Sequence, residues 1–117
     1  MATIAFVHTE HPGNSHMHFW EALITTSLDG APCSIPGASD RCVQVMGTFG
    51  TATVTLQGSN DGGNTWATLT DFQDADLAIT AAGMYMVAEA PLAIRPLVTV
   101  ADGTTDLDVY LFSRGTR

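Results

Sequence analysis

Residues 41–57, RCVQVMGTFGTATVTLQ, decide the fold. Val43 and Val45 alternate with Gln44, and after a short interval Val54 and Leu56 alternate with Thr53, Thr55 and Gln57. A period of two places one set of side chains on each face of a pleated strand, whereas a helix would scatter both sets around its axis. TFGT between the runs reads as a tight reversal, because Gly50 tolerates the positive φ that hairpin turns require.

Working toward the C-terminus, GSNDGGNTW at 58–66 breaks the pattern, and TWATLT, the acidic turn DFQDAD, a short LAIT and the turn AAG follow. MYMVAEAPLAIRPLVTVA holds two further strands. Met and Ala would also suit a helix over MYMVAEA, but the neighbouring prolines do not. Pro91 and Pro96 each remove a ladder donor and are expected at strand ends or a sheet edge. After the turn DGTTD, DLDVYLF sets Leu107, Val109 and Leu111 on one face and Asp108, Tyr110 and Phe112 on the other.

Toward the N-terminus, LDGAPCSIPGASD is a loop by composition. In HFWEALITT, strand spacing gives Trp20, Ala22 and Ile24 one face and Phe19 and Leu23 the other, with burial on both. Residues 1–16 read as an extended arm or a frayed first strand. Seven to nine short strands and no clear helix predict an all-β fold, an antiparallel β-sandwich or jelly roll over 17–117 with an N-terminal arm over 1–16.

The 117 residues suit one domain. Twelve acids against four bases give a formal charge of −8, which disfavours a phosphate-binding surface and so nucleic acid as a partner. No run approaches the roughly 20 apolar residues that cross a bilayer, and the start lacks the pattern of a secretory signal. No membrane association is expected, and the chain is expected to fold in the compartment where it is made. Cys33 and Cys42 fit neither a redox nor a zinc spacing; they are reduced thiols or, in the other reading, a disulfide closing CSIPGASDRC.

In the 58–66 segment, Gly62 and Gly63 permit unusual φ, and the Asn60 and Asp61 side chains can accept backbone amides, so a turn accounts for every residue type. His8, His11, His16 and His18 crowd the N-terminal region, and His16 and His18 share a strand face. A metal would need a further ligand that nothing fixes beside them, so no metal is expected. Asp71, Asp74 and Asp76 lack the spacing of a calcium loop and read as a solvated turn. There is no nucleophile elbow and no phosphate loop. No enzyme activity and no cofactor are expected.

Ser59, Asp61, Gly63, Thr65 and Trp66 form a stretch that resembles the Asp-box hairpin of sialidase-like propellers, which implies local turn geometry and no hydrolase activity. TVTLQGSNDGGNTWATL also resembles a strand-loop-strand stretch of discoidin-type jelly rolls, which would imply glycan binding at a loop end. From Asp40 onward, DRCVQVMGTFGTATVTLQGSNDGGNTWATLTD followed by AAGMYMVAEAPLAIRPLVTVADGTTDLDVYLF is similar to small virion structural proteins of tailed bacteriophages. That likeness implies a head decoration or cement protein on the capsid exterior, assembled in the host cytoplasm. The implied partners are the major capsid protein and further copies of the chain, a trimer among the arrangements, with a neck or tail protein as the alternative. Phe6, His16, His18, Trp20 and Tyr110 are the candidate contact residues.

Overall fold

A computed structural model of the chain describes residues 3–12, 14–26, 28–34 and 40–115. It is an all-β sandwich, and no helix occurs among the described residues. The strands are β1 (Thr3–Ile4), β2 (Phe6–His11), β3 (Ser15–Ile24), β4 (Asp29–Gly30), β5 (Asp40–Thr48), β6 (Thr53–Ser59), β7 (Ala67–Thr68), β8 (Ala78–Ile79), β9 (Gly83–Val87), β10 (Ala93–Thr99) and β11 (Asp106–Arg114). One sheet has the order β1-β4-β10-β6-β7, with β8 also on β6; the other has the order β2-β3-β11-β5-β9. Every pairing is antiparallel except β1 with β4.

Alternation builds the core between the sheets. Val43 and Val45 of β5 and Leu107, Val109 and Leu111 of β11 face Val54 and Leu56 of β6 and Ile94 and Val98 of β10, all buried. Each such side chain contributes about 1.5–3 kcal/mol on leaving water. Trp20 is fully buried and donates its Nε1–H to the Ala31 carbonyl at 3.0 Å, which satisfies the indole's one polar group.

Four expectations change. TFGT is not a hairpin: Gly50 has φ +60°, but β5 and β6 belong to different sheets, so the segment arches across the sandwich. It is held there by Asp102, whose carboxylate accepts the Thr51 amide at 3.1 Å, and by Thr105, whose hydroxyl donates to the Phe49 carbonyl at 2.9 Å. Secondly, Trp20 and Leu23 point to the same side. Ala22, at φ +63° with its amide on Asp108 Oδ1 at 3.0 Å, makes a bulge that shifts the register between Leu107 and Val109 and turns Leu23 inward.

Thirdly, Pro96 lies inside β10, not at its end. The Ile94 amide donates to Cys33 and the Val98 amide to Leu28, and Pro96 falls between these two bonds where the short β4 asks for no donor. Finally, the expected arm is docked from Thr3 to His11: β1 lies on β4 and β2 pairs with β3 from Phe6↔Trp20 to His11↔Ser15. The described residues of 1–16 and those of 17–117 therefore share both sheets. The cysteines are free thiols; Cys33 is buried in the core and Cys42 lies half-buried on the outside of the other sheet.

Candidate functional site

The 58–66 segment is a self-contained turn. Asp61 Oδ1 accepts the Ser59 hydroxyl at 2.7 Å, the Thr65 amide at 3.0 Å and the Asn64 amide at 3.1 Å, while Ser59 Oγ accepts the Gly63 amide at 3.1 Å. Gly62 and Gly63 sit at φ +81° and +89°. The Ser59 hydroxyl and the Thr65 amide, the leading favourable contacts, hold the Asp61 carboxyl down at about 2. Trp66 folds back beneath Arg95, whose guanidinium carbon lies 4.2 Å from the ring centroid. An open groove of about 510 Å³ runs beside the turn, lined by Asn60, Asp61, Thr68 and Glu89. Its two carboxylates are already engaged, Asp61 by the turn and Glu89 by the Thr70 amide at 2.8 Å and the Thr70 hydroxyl. The acidic segment is a second such turn, with Asp71 Oδ1 accepting the Gln73 and Ala75 amides.

Pairing of β2 with β3 gathers three histidines on the inner side of the sheet. His8 Nε2 lies 3.0 Å from His16 Nδ1, and the His8 ring stacks on His18 at 4.7 Å between centroids. His18 is buried against Phe6 and Trp20, and burial first, then the neighbouring His8 and His16, lower its pKa to about 4. The rings stack rather than converge, and among the described residues no group of three His, Cys, Asp or Glu is arranged to hold a metal ion.

Of the five candidate contact residues, Trp20 and His18 are 0% and 4% exposed, which removes both from the surface of the folded chain. Phe6 and His16 are half-buried on the inner side of the β2–β3 pair. Tyr110 points outward, stacked on Phe19 with centroids 4.3 Å apart and planes 9° from parallel. The five therefore do not form one surface.

Tyr110 instead leads to residues that sequence reasoning missed. Register across β2-β3-β11-β5-β9 puts Val7, Phe19, Tyr110, Gln44 and Met84 in one outward row. The adjacent outward row is Thr9, Met17, Phe112, Cys42 and Met86. Met84 is 62% exposed, Val7 61% and Met86 40%. The result is an aromatic and methionine face across the middle of the sheet, with shallow hollows beside Cys42 and Phe112. Charge is confined to its ends: Asp106 and Asp108 at one, and Arg114 with Asp40, 3.4 Å apart, at the other. Contiguous apolar surface of this kind marks an interaction site more often than a solvent face, and methionine side chains adapt to a partner's shape. The signal in sequence was that Met17, Phe19, Met84, Met86, Tyr110 and Phe112 make three separate strands apolar on both sides.

Searches of protein-family models, curated proteins and solved structures return no match to the chain.

Proposed function

We propose that the chain is a non-enzymatic structural protein of a tailed-phage virion, a decoration or cement protein that binds the outer surface of the capsid lattice and stabilises it. The outer face of the β2-β3-β11-β5-β9 sheet carries this reading, because a folded chain gains nothing from keeping two rows of Met and aromatic side chains in water unless something covers them. The likeness of residues 40–117 to small virion proteins supports the setting. The charge of −8 supports an exterior place, since packed DNA would repel it. Contact through a surface needs no reacting group. On a repeating lattice a modest affinity per copy suffices, since many copies together hold the shell.

The test is co-sedimentation of the purified protein with undecorated heads, followed by electron microscopy of the particles. Saturable binding on the capsid exterior is expected, reduced at least tenfold by Met84→Asp and unchanged by Thr55→Asp on the opposite sheet. A protein that never sediments with heads, or that is found only at the neck or tail, is not a decoration protein.

A further inference from the structure

We infer that the apolar outer face of the β2-β3-β11-β5-β9 sheet is covered by a second copy of this chain, related by a twofold axis that crosses the strands at the level of Leu111. The inference rests on the reading of that face as a protein contact surface: in the free protein the second copy covers the rows that the lattice takes on a particle, so dimer and lattice compete for them.

Three features point to a self-partner. The first is size. Five strands about 4.8 Å apart, with up to nine residues rising about 3.3 Å each, give a face of roughly 600–700 Å² per copy. Two copies bury about 1,200–1,400 Å², inside the range of roughly 1,200–2,000 Å² typical of specific stable interfaces.

The second is pattern. The apolar centre lies between the Tyr110 row and the Phe112 row, so the axis at Leu111 lays each row on the partner's other row. Tyr110 then meets the second copy's Phe112, Phe19 meets Met17, Met84 meets Met86 and Gln44 meets Cys42. Apolar meets apolar in the first three of these pairs, Val7 meets Thr9 at the edge, and every contact occurs twice, as an isologous interface requires.

The third is charge. The same axis reverses the strands and brings Arg114 over the second copy's Asp108. The Arg114 guanidinium is 62% exposed and meets Asp40 through Nη2 at 3.4 Å, so its planar fork has further donors for a second carboxylate. An axis running along the strands would instead set the Asp106 and Asp108 end of one copy against the same end of the other, a like-charge contact that costs stability. Charge therefore selects the arrangement with reversed strands.

Sedimentation of the purified protein tests the occupant, and cross-linking tests the register. A dimer with a dissociation constant of about 10 µM or tighter is expected. Met84→Asp, and independently Met86→Asp, should give monomers whose thermal midpoint equals that of the native chain diluted well below its dissociation constant and, unlike the native one, does not rise with concentration; Thr55→Asp should remain dimeric. Facing sheets lie about 10 Å apart, so a bismaleimide of similar reach is the suitable probe. Native chain mixed with a Gln44→Cys/Cys42→Ser chain should cross-link as a heterodimer faster than either alone, because Cys42 lies over residue 44 of the second copy. A protein that is monomeric up to about 100 µM, or trimeric, overturns the inference. If that monomer still sediments with heads and loses this with Met84→Asp, the lattice is the occupant and the functional reading stands. A dimer with no affinity for heads keeps the inference and removes the functional reading.

Discussion

The two sheets of the sandwich share one core but present opposite outer surfaces. Outward from β6 and β10 stand Thr53, Thr55, Gln57, Arg95 and Thr99, with Ala93 and Leu97 the apolar exceptions. These groups satisfy one another: Arg95 Nε donates to Gln57 Oε1 at 2.9 Å, its guanidinium covers Trp66 and it lies 4.0 Å from Asp29. Outward from β3, β5, β9 and β11 the corresponding positions hold Phe19, Tyr110, Phe112 and four of the chain's five methionines. Water serves the first surface well and the second poorly. A sandwich needs only its inner faces to fold, so the difference between its outer faces reports what the molecule does afterwards.

The comparison requires that stability reside between the sheets and association on one outer face. Trp20→Ala is the severest test. It empties the fully buried centre of β3 and should cost about 3–5 kcal/mol in chemical denaturation. At protein concentrations below the dissociation constant, the outward Met84→Asp should stay within about 0.5 kcal/mol of the native chain, while abolishing association at higher concentration. If the two variants exchanged these effects, inner and outer faces would have been misassigned.

Acid separates the faces next. Burial and two neighbouring imidazoles hold His18 at about 4, against an ordinary 6.5 in the unfolded chain. Above pH 6.5 the ring is neutral in both states and folding is unaffected. As pH falls from 6.5 toward 4 the unfolded chain binds the proton and the folded chain does not, so stability falls; by pH 4 the loss amounts to about 3 kcal/mol. Denaturation midpoints at pH 7, 5.5 and 4 should show this slope in the native protein and its absence in His18→Phe. The carboxylates common to both proteins cancel in the difference.

How much of this could be read from sequence follows the range of each interaction. The 59–65 turn was legible because its bonds close within seven residues, and the strands were legible because alternation is local. Pairing was not. Val43–Val45 and Val54–Leu56 announce two adjacent strands, yet nothing in TFGT says that they part to opposite sheets, because the decision is made by Asp102 and Thr105, about 50 residues away. The Ala22 bulge likewise depends on Asp108, and without it Leu23 is assigned to the wrong side. The apolar outer face is the extreme case. Its members come from five strands between Val7 and Phe112, and only register assembles them.

A smaller effect tests how closely the sheets approach. A Cβ added at Gly30 would lie 2.6 Å from Trp20 Cδ1 and 2.7 Å from Pro96 Cδ, both in packed surroundings. Gly30→Ala should therefore cost about 1–3 kcal/mol by forcing β4 away from the core. Association, measured by sedimentation under native conditions, should not change, because β4 is in the polar sheet. A loss of association at full stability would mean that this sheet, too, contributes to the contact.

The smallest effect belongs to the Asp61 turn, which lies at the loop end of the polar sheet, away from the outer face of the other. Asp61→Asn keeps an acceptor for the Thr65 amide but removes the charge that strengthens its bonds, so the thermal midpoint at pH 7 should fall by less than in the three cases above. The pH response distinguishes it from His18. Because the folded carboxyl sits at about 2 against 3.8 unfolded, its contribution is fully present above 3.8 and disappears only as pH falls through about 2. Between pH 4 and 7 the midpoints of the native and Asp61→Asn proteins should therefore run parallel, and converge below. Parallel curves that also leave association unaltered would confine this segment to reversing the chain; a variant with an unchanged midpoint and weakened binding to heads would move the working surface from the sheet face to this loop end.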